Sequence, residues 1–227
     1  MPYARYAIYY TLPAGPLSEF GAAWLGWNLS TGERPDAPQV ANLPAPAHDL
    51  SQTPRKYGFH GTIKPPFHLT EGETAKSLDI ALAAFCAKTR AVQLDGLELA
   101  RLGRFLALVP TGDTAPLKAL AARVVEDFDH FRAALSDEEL QRRRSRPLTA
   151  AQDALLEQWG YPYVMDEFRF HMTLTGQLPS SAAKHTQNAL APILAPLLPA
   201  PFHIDALTLC GEDHSGMFHS LARYKLA

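Results

Sequence analysis

Cysteine is almost absent: Cys86 and Cys210 are the only two in 227 residues, and they have neither metal-site nor redox-motif spacing. That argues against a disulfide framework and for two buried thiols in a reducing compartment. Long apolar runs are missing too. The Ala/Leu/Pro stretch from 189 to 202 is broken by four prolines before it reaches the roughly 18 residues that a membrane helix needs. There is also no excess of one charge. Against 21 Lys and Arg stand 23 Asp and Glu, a formal charge of −2. Such a balance gives no global field to draw nucleic acid or an anionic membrane, so any phosphate-binding charge has to be local. Met1-Pro2-Tyr3-Ala4-Arg5 runs straight into an alternating segment and lacks a basic stretch with an apolar signal core, so export is not expected. The expectation is a soluble cytoplasmic protein without membrane contact.

What is present suffices for a sizeable core: 47% of the residues are hydrophobic, which fits one large domain or two similar lobes. Residues 3–11 alternate as a strand, with Ala4, Tyr6, Ile8 and Tyr10 against Tyr3, Arg5, Ala7 and Tyr9. Leu17, Phe20, Trp24 and Trp27 then recur at helical spacing. Residues 30–54 show no period and read as a loop. A helix over 73–88 with Thr74 near its start, strands over 92–97 and 104–110, and a helix from Leu117 to Phe131 follow. Ser136 and Thr149 each open a helix-start pattern, which predicts short helices before the next strand. A helix over 181–198 and strands over 201–210 and 216–225 complete an α+β chain whose halves follow a similar order.

One motif occurs twice, as Phe59-His60-Gly61-Thr62-Ile63 and Phe170-His171-Met172-Thr173-Leu174. On an extended strand, side chains alternate faces, so His60 projects with Thr62, and His171 with Arg169 and Thr173, while the aromatic and aliphatic residues take the other side. Imidazole exchanges a proton near neutral pH, and a threonine hydroxyl donates to a phosphoryl oxygen. Hydrolysis of a phosphodiester needs a base on the attacking side and an acid on the leaving-group side, and two histidines on separate strands supply both.

At these residues the sequence resembles the two-histidine (2H) phosphoesterase superfamily. Arg5-Tyr6-Ala7-Ile8-Tyr9-Tyr10, the run Tyr57 to Phe67, Trp159-Gly160-Tyr161-Pro162-Tyr163-Val164 and the run Phe168 to Gly176 look like the subgroup encoded with bacterial phosphonate-degradation (carbon–phosphorus lyase) operons. The resemblance implies an α+β fold of two pseudo-symmetric lobes, mainly antiparallel sheets with helices packed outside and a central cleft. It implies one domain over residues 1–227 with interleaved lobes and a helical insertion at about 132–160. It also implies His60 and His171 as acid and base, Thr62 and Thr173 as phosphate ligands, no metal and no cofactor. The implied activity is metal-independent opening of a small anionic cyclic phosphate, 5-phosphoribosyl 1,2-cyclic phosphate. The alternative is a phosphodiesterase or binding protein for nucleoside 2′,3′-cyclic phosphates or RNA ends, which the acidic balance disfavours as a broad nucleic-acid surface.

Further residues are open to two readings. Lys64 continues the His60 face and can reach a phosphate, or it is an ordinary solvated lysine. Arg169 stands beside His171, and Arg55, Lys56 and Tyr57 approach His60 from the preceding loop. Arg142, Arg143, Arg144 and Arg146 form a lid over an anionic ligand or a solvated face. Tyr9 stacks beneath a sugar or packs in the core. A zinc centre drawn from the nine histidines and acids such as Asp213 fits poorly, since each His-x-Thr strand offers one good ligand.

Overall fold

Alternation along the first strand sets the two faces of the molecule. In β1 (Arg5–Tyr10), Tyr6, Ile8 and Tyr10 enter the larger hydrophobic core, while Ala7 and Tyr9 join a small cluster with Leu29, Cys210 and Phe218 on the opposite face. The computed structural model describes residues 3–227. Met1 and Pro2, part of the segment read for a leader, lie outside the described residues.

After β1 come α1 (Pro16–Leu25), α2 (Ala47–Leu50), α3 (Gln52–Arg55), β2 (Gly61–Phe67), α4 (Ala75–Cys86), β3 (Val92–Leu94) and β4 (Gly96–Leu102). The second half runs β5 (Phe105–Thr111), α5 (Ala115–Asp127), α6 (Asp137–Arg144), α7 (Ala150–Trp159), β6 (Met172–Thr173), α8 (Ser180–Leu194), β7 (Phe202–Ile204) and β8 (Ala206–Glu212), with β9 (Phe218–Lys225) at the end. Seven strands form one sheet in the order β4-β5-β6-β2-β1-β8-β9, and β3 pairs with β7. Every pairing is antiparallel. The chain is thus α+β. The order also reads alike outward from the centre: β2 and β6 meet in the middle, β1 and β5 flank them, and each half lends a later strand (β4 or β8) to the other half's first, with β9 added outside β8.

The helix starts follow from local chemistry. Thr74, Ser136 and Thr149 each accept a hydrogen bond from the backbone N–H three residues on, at 3.0, 3.2 and 3.2 Å. Caps of this kind contribute about 1 kcal/mol each. Leu78 and Leu82 of α4, Leu117 and Val124 of α5, and Leu190 and Leu194 of α8 bury one stripe per helix against the sheet. Trp24 ties α1 down by donating its indole N–H to the Leu174 carbonyl at 2.8 Å. Both thiols are buried and free.

Several expectations need correction. The loop expected over 30–54 contains the one-turn helices α2 and α3. The strand expected over 92–97 breaks at Asp95, and the one over 201–210 breaks at Asp205, so each segment is divided between the small sheet and the large one. Among the described residues, no helix is long and apolar enough to cross a membrane.

Candidate active site

The two His-x-Thr segments are neighbours. Gly61 pairs with Met172 across the antiparallel β2–β6 contact. One step to either side, His60 lies opposite Thr173 and Thr62 opposite His171, so four polar side chains form a square with local two-fold symmetry. Gly61 is required by packing: a Cβ there would lie 2.3 Å from the ring of Phe170, the aromatic residue preceding the second histidine. Phe59, preceding the first, covers Gly21 of α1 in the same way.

Both rings are held by the same device. His60 Nδ1–H donates to the Gly58 carbonyl at 2.9 Å and His171 Nδ1–H to the Arg169 carbonyl at 2.8 Å. This fixes the tautomer in the neutral state and leaves each Nε2 as the acceptor. The Thr62 hydroxyl donates to His60 Nε2 at 3.0 Å. The environments then diverge. His60 lies flat on Tyr9, with ring centroids 3.8 Å apart and planes 25° from parallel. Burial pushes its pKa from 6.5 down to about 4, with the Gly58 carbonyl acting against the shift and His171 adding to it. Burial also lowers the pKa of His171, opposed by its bond to the Arg169 carbonyl, and Phe105 stands 5.6 Å away at a tilt. Desolvation dominates at both sites.

His60, Thr62, His171 and Thr173 line one cavity of about 610 Å³. Tyr9 and Tyr57 border it on the His60 side, and α6 with the following loop brings Arg142, Arg143 and Arg146. No carboxylate lines it. Arg5, on the Tyr9 face of β1, also reaches the cavity, gripped by Glu212 through two hydrogen bonds of 2.5 and 2.7 Å. Sequence reasoning misses Arg5, Tyr161 and Tyr163 as site residues, although Arg5 shares its strand face with Tyr9.

Other expected residues lie elsewhere. Lys64 is turned into the core, 2% exposed, where its ammonium donates to the Val125 carbonyl at 3.1 Å beside Asp129. The cause is a β-bulge. Tyr9 pairs with Thr62 but Ile8 with Lys64, so Ile63 is an extra residue and Lys64 follows Ile8 to the helix side. The Arg169 side chain is exposed and lines an adjoining cleft rather than the main cavity, while its carbonyl orients His171. Arg55 donates to the carbonyls of Leu25 and His48, and Arg144 is paired with Asp153 and Glu157. Asp213 is bound to His219 and Ser215. Among the described residues no group of three or more His, Cys, Asp or Glu is placed to share a metal ion.

Comparison with known proteins adds a family and two sets of relatives. The family described as "Protein of unknown function (DUF1045)" matches residues 62–219. A protein of Janthinobacterium sp. (strain Marseille) named ribose 1,5-bisphosphate phosphokinase PhnN is 38% identical over 93% of this chain and 48% of its own length. One of the same name from Laribacter hongkongensis (strain HLHK9) is 32% identical over 77% of this chain and 40% of its own. The chain therefore spans about half the length of these curated relatives or less. Among solved structures, E. coli LigT complexed with 3′-AMP is 16% identical, covering 100% of this chain and 99% of that one with a TM-score of 0.46. The Thermus thermophilus protein TT0787 is 12% identical at a TM-score of 0.41, covering 98% of this chain and 97% of that one. Both overlays are loose, and the chemistry of the site rests on its own geometry.

Proposed function

The chain belongs to the DUF1045 family, and we propose that it is a metal-independent phosphodiesterase that opens a small cyclic sugar phosphate, 5-phosphoribosyl 1,2-cyclic phosphate, through His60 and His171. The observation that carries the reading is the β2–β6 register. It opposes two His-Thr pairs across one cavity, each imidazole anchored through Nδ1 to the carbonyl two residues before it.

The arrangement suits an in-line displacement. A cyclic phosphodiester in the square receives the threonine hydroxyls on its non-bridging oxygens, where charge builds in the transition state, the Thr62 hydroxyl turning away from His60 Nε2 as the ester enters. Water attacks phosphorus from one flank and loses a proton to one Nε2; the ring oxygen leaves on the other flank and takes a proton from the other Nε2. One P–O bond forms and one breaks, and the products are a phosphate monoester and a free hydroxyl. We assign the base to His60, the more strongly depressed imidazole, which stays neutral under Tyr9. His171 is the acid and acquires its proton when the anionic substrate enters, since a nearby negative charge favours imidazolium.

The names of the relatives support the substrate. Breaking the bond from phosphorus to the 2-oxygen of 5-phosphoribosyl 1,2-cyclic phosphate yields ribose 1,5-bisphosphate, the compound in the kinase name. This chain matches only about half of those proteins and contains no Gly-x-x-x-x-Gly-Lys-Ser/Thr run to cradle nucleotide phosphates. An activity that delivers ribose 1,5-bisphosphate to a kinase is a coherent role for it.

Phosphorus NMR of the protein with 5-phosphoribosyl 1,2-cyclic phosphate and with nucleoside 2′,3′-cyclic phosphates tests the proposal. Conversion of the first to ribose 1,5-bisphosphate is expected. Faster opening of the nucleotides transfers the assignment to them, and no turnover of either sinks the diesterase reading.

A further inference from the structure

Within the run Arg142-Arg143-Arg144-Ser145-Arg146, the four guanidiniums have different commitments. Arg144 is a tether: it bonds both oxygens of Asp153 and also meets Glu157, holding the end of α6 to α7. Arg142 makes a 3.4 Å contact with Glu139 one turn back. Arg143 and Arg146 have no ion-pair partner among the described residues, and both line the cavity that holds the histidines. Helical backbone continues through Ser145, so Arg146 comes round about one turn beyond Arg143 and on its side.

Arg143 is the more telling of the two. It is half-buried, its Nε is enclosed without a hydrogen-bond partner, and its guanidinium lies 5.5 Å over the ring of Tyr161. Burial draws its pKa below the ordinary arginine value, although a guanidinium remains charged. An enclosed Nε–H without an acceptor costs free energy unless an anion supplies the missing oxygen. The cavity falls within the roughly 300–1,000 Å³ typical of a whole small-molecule site, and the His-Thr square accounts for only four of the residues that line it. The Tyr161 hydroxyl is kept neutral by burial, which leaves it able to donate.

We infer that Arg143 and Arg146, backed by Tyr161, form a second anion subsite that grips a phosphate monoester carried by the same substrate, so that the protein selects phosphorylated over unphosphorylated cyclic esters. A monoester near neutral pH carries close to two charges and three acceptor oxygens, which suits two planar guanidinium forks better than a single lysine. The subsite deepens the proposed function by naming the residues that read the far end of the substrate, and it rests on that reading.

Two measurements keep the failures of the two ideas apart. Rates with 5-phosphoribosyl 1,2-cyclic phosphate and with ribose 1,2-cyclic phosphate define a preference for the phosphorylated ester. Arg143→Gln and Arg146→Gln should each cut that preference at least about tenfold, the scale of a lost charge-assisted bond, with Arg143→Lys in between. Calorimetric titration with ribose 5-phosphate, which has the monoester and no cyclic ester, reads the subsite without turnover; it should bind the wild-type protein and at least about tenfold more weakly to each Gln variant. A preference unchanged in both Gln variants, or ribose 5-phosphate that binds the wild type and both variants alike or not at all, overturns the subsite. A protein that opens neither ester but still holds ribose 5-phosphate through these arginines retains the subsite and loses the diesterase reading. One that opens both esters equally well does the reverse.

Discussion

His60 lies face to face with Tyr9 at a centroid distance of 3.8 Å, and the Tyr9 side chain has no exposure to solvent. The stack excludes water from one side of the imidazole, and that desolvation is the main cause of its low pKa. Tyr9→Ala should admit water, raise the pKa of His60 and move the acid limb of the kcat/KM profile to higher pH. A limb that stays in place would show that the stack does not tune the base.

Either His60→Ala or His171→Ala should lower kcat by at least about a hundredfold while leaving the circular dichroism spectrum intact, because each removes one proton-transfer group. Removing both should cost little more than removing one if the pair acts as a unit. Near-normal rates in both single variants would refute acid–base roles for the pair.

The site is half legible from alternation alone. Parity places His60 with Thr62, and His171 with Thr173, on one face of each strand, and it separates Phe59 and Phe170 from them. Parity does not say that the two strands touch, nor that Gly61 meets Met172; that register depends on the Phe170 ring seated over Gly61, a long-range fit with no local signature. Lys64 shows the limit from the other side. A one-residue bulge at Ile63 reverses the faces after Thr62, and nothing in Thr62-Ile63-Lys64 announces it. For Arg169 the residue matters but the group differs, since its backbone carbonyl and not its guanidinium serves His171. Arg5 is within reach of the same alternation that singles out Tyr9, but a strand rich in aromatic residues reads as core and hides a cavity-facing guanidinium.

The threonines offer a graded test. Thr62→Val and Thr173→Val keep the volume and remove the hydroxyl donor, so each should reduce kcat by about 2 kcal/mol of transition-state stabilisation, or roughly thirtyfold. Thr62→Val also removes the hydroxyl that donates to His60 Nε2 and should shift the pH profile, whereas Thr173→Val should leave its midpoint in place. Identical profiles in the two variants would contradict this asymmetry.

Chelation probes the chemistry from another direction. The proposed mechanism draws both proton transfers and the charge stabilisation from side chains, so protein dialysed against a strong chelator should retain its kcat. Loss of activity that is restored by zinc or another divalent ion would require a metal in the mechanism.

Burial of a histidine must also leave a mark on folding. Unfolded, His60 titrates near 6.5; folded, it resists protonation until about pH 4. Between these values the unfolded chain binds more protons than the folded one, so the native state is weakened as pH falls from 6.5 to about 4 and unaffected by this group above that window. For a half-buried imidazole partly screened by solvent, the penalty is bounded at roughly 3 kcal/mol. His60→Gln removes the titration while preserving a polar side chain. Urea midpoints measured from pH 7.5 down to 4 should therefore fall less steeply in the variant than in the wild type, with the two curves parallel above pH 7. Curves that stay parallel throughout would mean that His60 is solvated enough to titrate normally, and the assignment of His60 as the neutral base would lose its physical ground.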